Sequence, residues 1–115
     1  MQSIIVNENA NCLTVGYAMP ILDVDLDASK AVFETTLFGR VAVTQAFASL
    51  LIKSKGIIVN IGSISGFAPT PFSGMYNACC AAVHHWSDTL RLEMKPFDVK
   101  VILVRLPLHL FASAR

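Results

Sequence analysis

Residues 56–80 read Gly-Ile-Ile-Val-Asn-Ile-Gly-Ser-Ile-Ser-Gly-Phe-Ala-Pro-Thr-Pro-Phe-Ser-Gly-Met-Tyr-Asn-Ala-Cys-Cys, and this stretch carries the strongest signal for the fold. The run Ile57–Ile61, which is apolar except for Asn60, is typical of a buried strand in a parallel sheet. Ser63 follows at its carboxyl end, and Tyr76 opens a helix after a proline-containing loop. Ligands of open parallel sheets bind outside the carboxyl ends of the strands. The two hydroxyls are therefore predicted to form a carbonyl-binding pair.

The rest of the chain alternates strands and helices around this stretch. We predict strands near Ile4–Val6, at Ile57–Ile61 and over Val99–Leu106, with helices over about Ala28–Ile52 and Gly74–Lys95. Such alternation indicates a parallel sheet with right-handed crossovers. The predicted fold class is α/β, a partial Rossmann-like doubly wound parallel sheet of order β-α-β-α-β, in one domain over residues 1–115.

The pattern of apolar residues predicts which surfaces are buried. The wide apolar stripe of the first helix predicts burial on more than one side. The second helix shows one stripe, made of Met75, Cys79, Ala82, Trp86 and Leu90. Both crossovers step in the same direction, so both helices are expected on one face of the sheet. The other face is expected to expose these apolar residues: Ile57, Val59, Ile61, Val101 and Leu103.

Composition and charge exclude several function classes. Hydrophobic residues make up 54% of the 115 residues and charged residues only 15%, against a usual value of about 25%. The chain is therefore expected to hide surface against a partner. Scattered charges and a net charge of +1 do not favour nucleic-acid binding. The apolar run at 41–52 is shorter than the ~18 residues of a membrane span, so no transmembrane segment is predicted.

Cysteine and histidine usage predicts neither a disulfide framework nor a metal site. The three cysteines are an odd number, and two of them, Cys79 and Cys80, are adjacent. A reducing compartment is the better interpretation, and the spacing of Cys and His does not match a zinc site. The adjacent cysteines could be a redox pair, but small buried side chains are favoured. His84, His85 and His109 are interpreted as surface or satisfied histidines.

Several motifs together resemble the second half of the short-chain dehydrogenase/reductase family. They are Asn60-Ile-Gly-Ser63, the thirteen-residue spacing to Tyr76-Asn-Ala78, Phe33-Glu-Thr-Thr-Leu-Phe-Gly39 and Leu90-Arg-Leu-Glu-Met-Lys-Pro-Phe97. The last motif resembles the fungal NADPH-dependent acyldihydroxyacetone-phosphate reductases. The resemblance covers roughly residues 6–106.

The resemblance implies a role for four positions. Tyr76 is at the position of the family's general acid/base, and Ser63 is at that of the serine that hydrogen-bonds the substrate carbonyl. The family's lysine, which lowers the pKa of the tyrosine and holds the nicotinamide ribose, is Cys80 here. The family's proton-relay asparagine is Thr36. Ser63 and Tyr76 are the predicted catalytic residues, and the changes at 80 and 36 predict reduced activity.

The cofactor side of the resemblance is less complete. The family's first half opens with a glycine-rich turn that cradles the pyrophosphate, and this sequence contains no such turn. The family's Asn-Asn-Ala-Gly turn has its nearest counterpart at Asn9 and Ala10. NADP is therefore the expected cofactor by resemblance, with Asn9, Ala10 and Tyr76 as the candidate cofactor-binding residues.

Three hypotheses for function remain open. The first is NADP(H)-dependent reduction of a lipid-like ketone, such as an acyl-dihydroxyacetone phosphate, or oxidation of the alcohol, by a truncated and impaired enzyme. The second is a non-catalytic dimerisation or binding module that self-associates through the two long helices or the exposed sheet face. The third is a decayed gene product. The resemblance implies an intracellular location, either cytoplasmic or peripheral to the endoplasmic reticulum or lipid droplets.

Overall fold

Three parallel strands form the sheet in the predicted order. The computed structural model describes residues 4–7 and 18–106. Strand β1 (Ile4–Asn7) pairs with β2 (Ile57–Ser63), and β2 pairs with β3 (Lys100–Leu106), so that the sheet order is β1-β2-β3. Both pairings are parallel. The α/β class and the β-α-β-α-β order are confirmed.

Two long helical segments connect the strands. The first comprises α1 (Leu26–Phe33), a π-helical segment (Glu34–Phe38) and α2 (Gly39–Ser54). It begins where the Asp25 carboxylate accepts a hydrogen bond from the Asp27 amide at 2.9 Å, an N-cap. The second is α3 (Gly74–Met94). Short 3₁₀ turns lie at Ile21–Asp23, Ile64–Gly66 and Lys95–Phe97. Both predicted helices are confirmed within a few residues.

The apolar core lies between the sheet and the helices. Leu51 and Ile58 are fully buried there and pack with Met94, Val99 and Val101. Val101 is therefore on the inner face, and its predicted exposure on the outer face is wrong. The reason is the register, because Ile58 pairs with Val101 and paired residues of parallel strands project to the same face. Leu103, which pairs with Asn60, shares that face.

The outer face of the sheet carries the alternate residues. Val59 pairs with Ile102, and Ile61 pairs with Val104. Ile102 is 45% exposed, whereas Val59 and Ile61 are half-buried. An apolar outer face is therefore present, but Ile102 and Val104 replace Val101 and Leu103 in it.

The helices are buried along different lines from those predicted. Of the apolar stripe on the first helix, Val43, Phe47 and Leu50 are exposed, so burial on more than one side is not found in this chain. Helix α3 buries Tyr76 together with a line of residues that the predicted stripe largely missed. The other buried residues of α3 are Cys79, Cys80, Val83, His84, Ser87 and Met94.

The first helical segment also passes a membrane-span criterion. Leu26–Ser54 is long and apolar enough to cross a bilayer, with a mean hydropathy of 1.3 in its most apolar window. This differs from the expectation that no stretch would qualify, and it rests on length and composition alone. Its buried polar residues Thr36, Arg40 and Thr44 are typical of a crossover helix on a sheet rather than a lipid-facing one.

Candidate active site

Ser63 lies where β2 ends and a tight turn begins. Its side chain is 3% exposed, and its Oγ accepts a hydrogen bond from the Ser65 amide at 3.2 Å. This bond caps the 3₁₀ turn Ile64–Gly66. A serine cap fixes both the turn and the serine rotamer. The position of the Ser63 hydroxyl is therefore set by local backbone geometry.

Tyr76 lies in the first turn of α3, close to the Ser63 turn. Its side chain is 8% exposed and packs against Cys80, one helical turn further on. The turn Ile64–Gly66 packs on α3, and a Cβ atom added at Gly66 would be 3.1 Å from the Cys80 carbonyl carbon. The structure thus brings the Ser63 turn to the part of α3 that carries Tyr76 and Cys80.

Thr36 lies inside the π-helical segment Glu34–Phe38 and is 2% exposed. This segment packs on α3. One turn earlier, the Val32 carbonyl accepts a hydrogen bond from Cys79 Sγ at 3.9 Å. Single π-helical turns are often found at functional sites because they redirect side chains. Thr36, which the resemblance assigns to the position of the family's relay asparagine, is therefore buried at the same helix interface.

The predicted cofactor residues Asn9 and Ala10 lie outside the described residues, as do Cys12 and His109. Their roles stay predictions. Among residues 4–7 and 18–106, no group of three or more His, Cys, Asp or Glu residues could hold a metal ion.

Cys79 and Cys80 are both buried, which confirms that they are small buried side chains. Cys80 is 4% exposed and packs with Tyr76. The position that the resemblance assigns to the family's lysine therefore carries a buried cysteine.

His84 is not a surface or satisfied histidine. It is buried, and its Nε2 has no hydrogen-bond partner among the described residues. Burial, followed by the nearby positive charges of Arg105 and Arg40, lowers the pKa of His84, and Asp88 opposes this shift. The neighbouring His85 is exposed. Sequence reasoning missed His84 because an isolated histidine in a helix gives no signal of its contacts.

Arg40 and Arg105 lie at the carboxyl ends of β2 and β3. Arg40 is buried on α2, and its Nη1 donates a 2.6 Å hydrogen bond to the Ile61 carbonyl. The Arg105 guanidinium lies over the Phe67 ring, 5.7 Å from its centroid. Sequence reasoning gave no role to either arginine. Both place positive charge near the end of the sheet where Ser63 lies.

Two loops with exposed apolar side chains border this end of the sheet. The Met19 amide donates a 2.8 Å hydrogen bond to the Phe72 carbonyl, and a Cβ atom on Gly74 would lie 2.6 Å from Ile21 Cγ1. Phe72 has a φ of +64°, a left-handed conformation that is costly for a bulky residue. Its ring is nevertheless exposed. The other exposed apolar residues of these two loops, with the first residue of α1, are Ile21, Leu22, Leu26 and Phe67.

A parallel sheet with a serine at the end of its middle strand and a tyrosine on the following helix defines a protein of Rossmann-like architecture. The family model described as short chain dehydrogenase matches residues 4–109. The chain belongs to the short-chain dehydrogenase/reductase family.

The similar curated proteins are fungal. The chain is 46% identical over 94 residues to the short-chain dehydrogenase fogD of Aspergillus ruber, covering 82% of this chain and 33% of that protein. It is 48% identical over 88 residues to the short-chain dehydrogenase virD of Hypocrea virens, covering 76% and 31%. The chain thus spans about a third of the length of the curated relatives it matches.

Solved structures agree with the fold. A short chain dehydrogenase from Burkholderia cenocepacia in complex with NADP has a TM-score of 0.80 and 26% identity, covering 91% of this chain and 43% of that one. A short chain dehydrogenase/reductase from Saccharomyces cerevisiae has a TM-score of 0.81 at 23% identity, covering 91% and 40%. The second likeness concerns the fold alone.

Proposed function

We propose that this chain provides the substrate-side half of an NADP(H)-dependent carbonyl reductase or alcohol dehydrogenase. The observation that carries the proposal is the buried Ser63 hydroxyl, whose turn packs on the first turns of α3, where Tyr76 lies. In this proposal Tyr76 gives a proton to the carbonyl oxygen during reduction and takes it back during oxidation. Ser63 donates a hydrogen bond to the same oxygen.

The use of a nicotinamide cofactor is supported by the family match and by the neighbour solved in complex with NADP, and NADP rather than NAD is the proposed choice. A nicotinamide cofactor supplies the hydride in this class of reaction when it is bound. The described residues fit the cofactor incompletely, because position 80 has a buried thiol where the family's lysine would hold the ribose. Position 36 likewise has a threonine where the family has its relay asparagine. We therefore propose that this chain acts more slowly than relatives that have the serine, tyrosine, lysine and asparagine together.

A lipid-like ketone is the proposed substrate class. The support is the concentration of exposed apolar side chains in the loops around residues 21–26 and 67–72, on both sides of the start of α3. An acyl chain would bury these side chains at roughly 25 cal/mol per Å² of apolar surface. Acyl-dihydroxyacetone phosphates fit this class, and a location in the cytoplasm or against endoplasmic reticulum or lipid-droplet membranes remains a prediction.

The substrate proposal predicts a chain-length effect at Phe72. Phe72→Ala should raise the Kd of a long-chain acyl ketone about tenfold, about 1.4 kcal/mol, because one exposed aromatic contact is lost. The Kd of a short methyl ketone should not change. Phe97→Ala is the matched control, since Phe97 is also an exposed phenylalanine but follows the other end of α3. The assay is a calorimetric titration of each ketone into the chain without cofactor, because the isolated chain is not expected to turn over. If neither ketone binds, the proposal that this chain is the substrate side of the enzyme is contradicted, and equal effects of both variants would contradict only the substrate class.

A second candidate is a non-catalytic module that self-associates through its helices. It is favoured by the exposed side chains of Val43, Phe47 and Leu50 along α2. Monomers rarely leave such contiguous apolar surface in water. The outer face of the sheet, with Ile102 exposed, offers a second surface for association.

Association through α2 predicts a specific effect at Phe47. Phe47→Glu should shift the chain from an oligomer to a monomer in light scattering at micromolar concentration, because a carboxylate would be buried at the interface. Gln45→Glu adds the same charge at another exposed position of α2 and should leave the oligomer intact. A wild-type chain that is a monodisperse monomer and binds no hydrophobic dye would contradict association through either surface.

A further inference from the structure

One line of contacts joins α3 to β2 and ends at the candidate active site. We call it the α3–β2 seam, and it consists of Cys80, His84 and Ser87 on α3 with Asn60 and Gly62 on β2. Asn60 Nδ2 donates a hydrogen bond to Ser87 Oγ at 2.9 Å, and both side chains are fully buried. This bond fixes one point of the helix against the strand.

The His84 ring occupies the next point of the seam, between two glycines. A Cβ atom on Gly62 would lie 2.6 Å from Nε2 and 2.9 Å from Cδ2 of His84. A Cβ atom on Gly66 would overlap Cε1 and Nδ1 of the same ring. Such separations are far inside van der Waals contact. Both glycines are thus required because the ring fills the space on each side of the Ser63 turn.

We propose that His84 is a positioning residue. Its ring fixes the position of α3 along its axis relative to β2, and this holds Tyr76 opposite Ser63. The inference rests on the proposed function of these two hydroxyls. Gly62 directly precedes Ser63, and Tyr76 lies eight residues before His84 on the same helix, about 12 Å along its axis. A shift of the ring is therefore passed on to both hydroxyls, and misplacement by 1 Å can cost about 100-fold in rate.

Burial and two nearby arginines, Arg105 on β3 and Arg40 on α2, favour the neutral form of His84. Asp88 on the same helix opposes them. Because burial and the two arginines lower the pKa of His84 in the folded chain, the unfolded chain binds a proton more readily. Stability from the seam is complete above the ordinary histidine pKa of about 6.5 and is lost as the pH falls from there through the lower folded value. Acid should therefore loosen the Ser63 turn.

The test is hydrogen exchange of the 115-residue chain, measured by mass spectrometry and corrected for intrinsic exchange rates. His84→Ala should speed exchange of the amides at 62–66 and in the first turns of α3 about tenfold or more, because the ring that fills the space between Gly62 and Gly66 is lost. His85→Ala, an exposed histidine on the same helix, is the matched control and should change neither region. Equal effects of the two variants would overturn the proposal.

Two further variants separate positioning from a general loss of packing. His84→Phe retains a planar ring without a charge, so it should restore protection at 62–66 and abolish the loss of protection between pH 7 and pH 5. Gly62→Ala should be tolerated better in combination with His84→Ala than alone, because removal of the ring frees the space for the methyl group. A pH response that survives in His84→Phe, or additive effects of the Gly62 and His84 variants, would overturn the proposal. None of these measurements requires turnover, so they remain decisive if the chain reduces no ketone.

Discussion

The 115-residue chain alone is expected to bind NADPH no more tightly than a Kd of about 1 mM, about −4 kcal/mol. The sequence contains no glycine-rich turn to receive the pyrophosphate. The resemblance assigns the family's lysine position to Cys80, a buried thiol that brings no positive charge to the ribose. Two of the contacts that give this family its cofactor affinity are therefore missing from the chain.

Isothermal calorimetry or quenching of NADPH fluorescence tests the affinity. Cys80→Ala is the matched control and should bind as weakly as wild type, because the thiol contributes nothing to the expected affinity. Micromolar affinity of the wild-type chain would contradict the prediction. It would show that other residues of the chain bind the phosphates in place of the glycine-rich turn.

Replacing Cys80 with lysine is expected to lower the free energy of unfolding by about 3 kcal/mol, since a charged side chain then replaces a buried thiol without a bound ribose to pair with it. Cys80 is 4% exposed, packs on Tyr76 and faces the Gly66 turn. The long lysine chain can reach solvent only in part. The cost should therefore be near the upper end of single-residue effects.

Urea unfolding followed by circular dichroism measures this change. Cys80→Ser is the matched control, because it is polar, uncharged and close in size, and it should cost no more than about 1 kcal/mol. If Cys80→Lys unfolds at the same urea concentration as wild type, the site around Tyr76 must be open enough to solvate an ammonium group. That outcome would mean that the chain retains the geometry of a working lysine site.

The same substitution also bears on activity. Cys80→Lys combined with Thr36→Asn restores the two residues that, by the resemblance, differ from the family's catalytic set. We still expect the isolated chain not to oxidise NADPH with a ketone, because the sequence has no pyrophosphate-binding turn. Measurable turnover by this double variant would show that the turn is dispensable and that the two local substitutions account for the impairment.

Local sequence signals were sufficient to predict the order of the elements and to place Ser63 at the end of a strand and Tyr76 at the start of a helix. The run Ile57–Ile61 and the β-branched strand ending at Leu106 are such signals, and the pattern of alternating strands and helices leaves few topologies open. Ser63 and Tyr76 could be located because strand ends and helix starts are set within a few residues of sequence. The catalytic roles of the two residues stay a prediction that rests on the family resemblance.

The faces and neighbours of these elements depend instead on tertiary packing. Val101 was assigned to the wrong face because the register between β2 and β3 depends on contacts between segments about forty residues apart, and a shift of one residue reverses every side chain. The burial of His84 between Gly62 and Gly66 depends in the same way on how α3 lies along β2. Such contacts between distant segments have no period in the sequence, so the positioning of the active site could be found only from the packed fold.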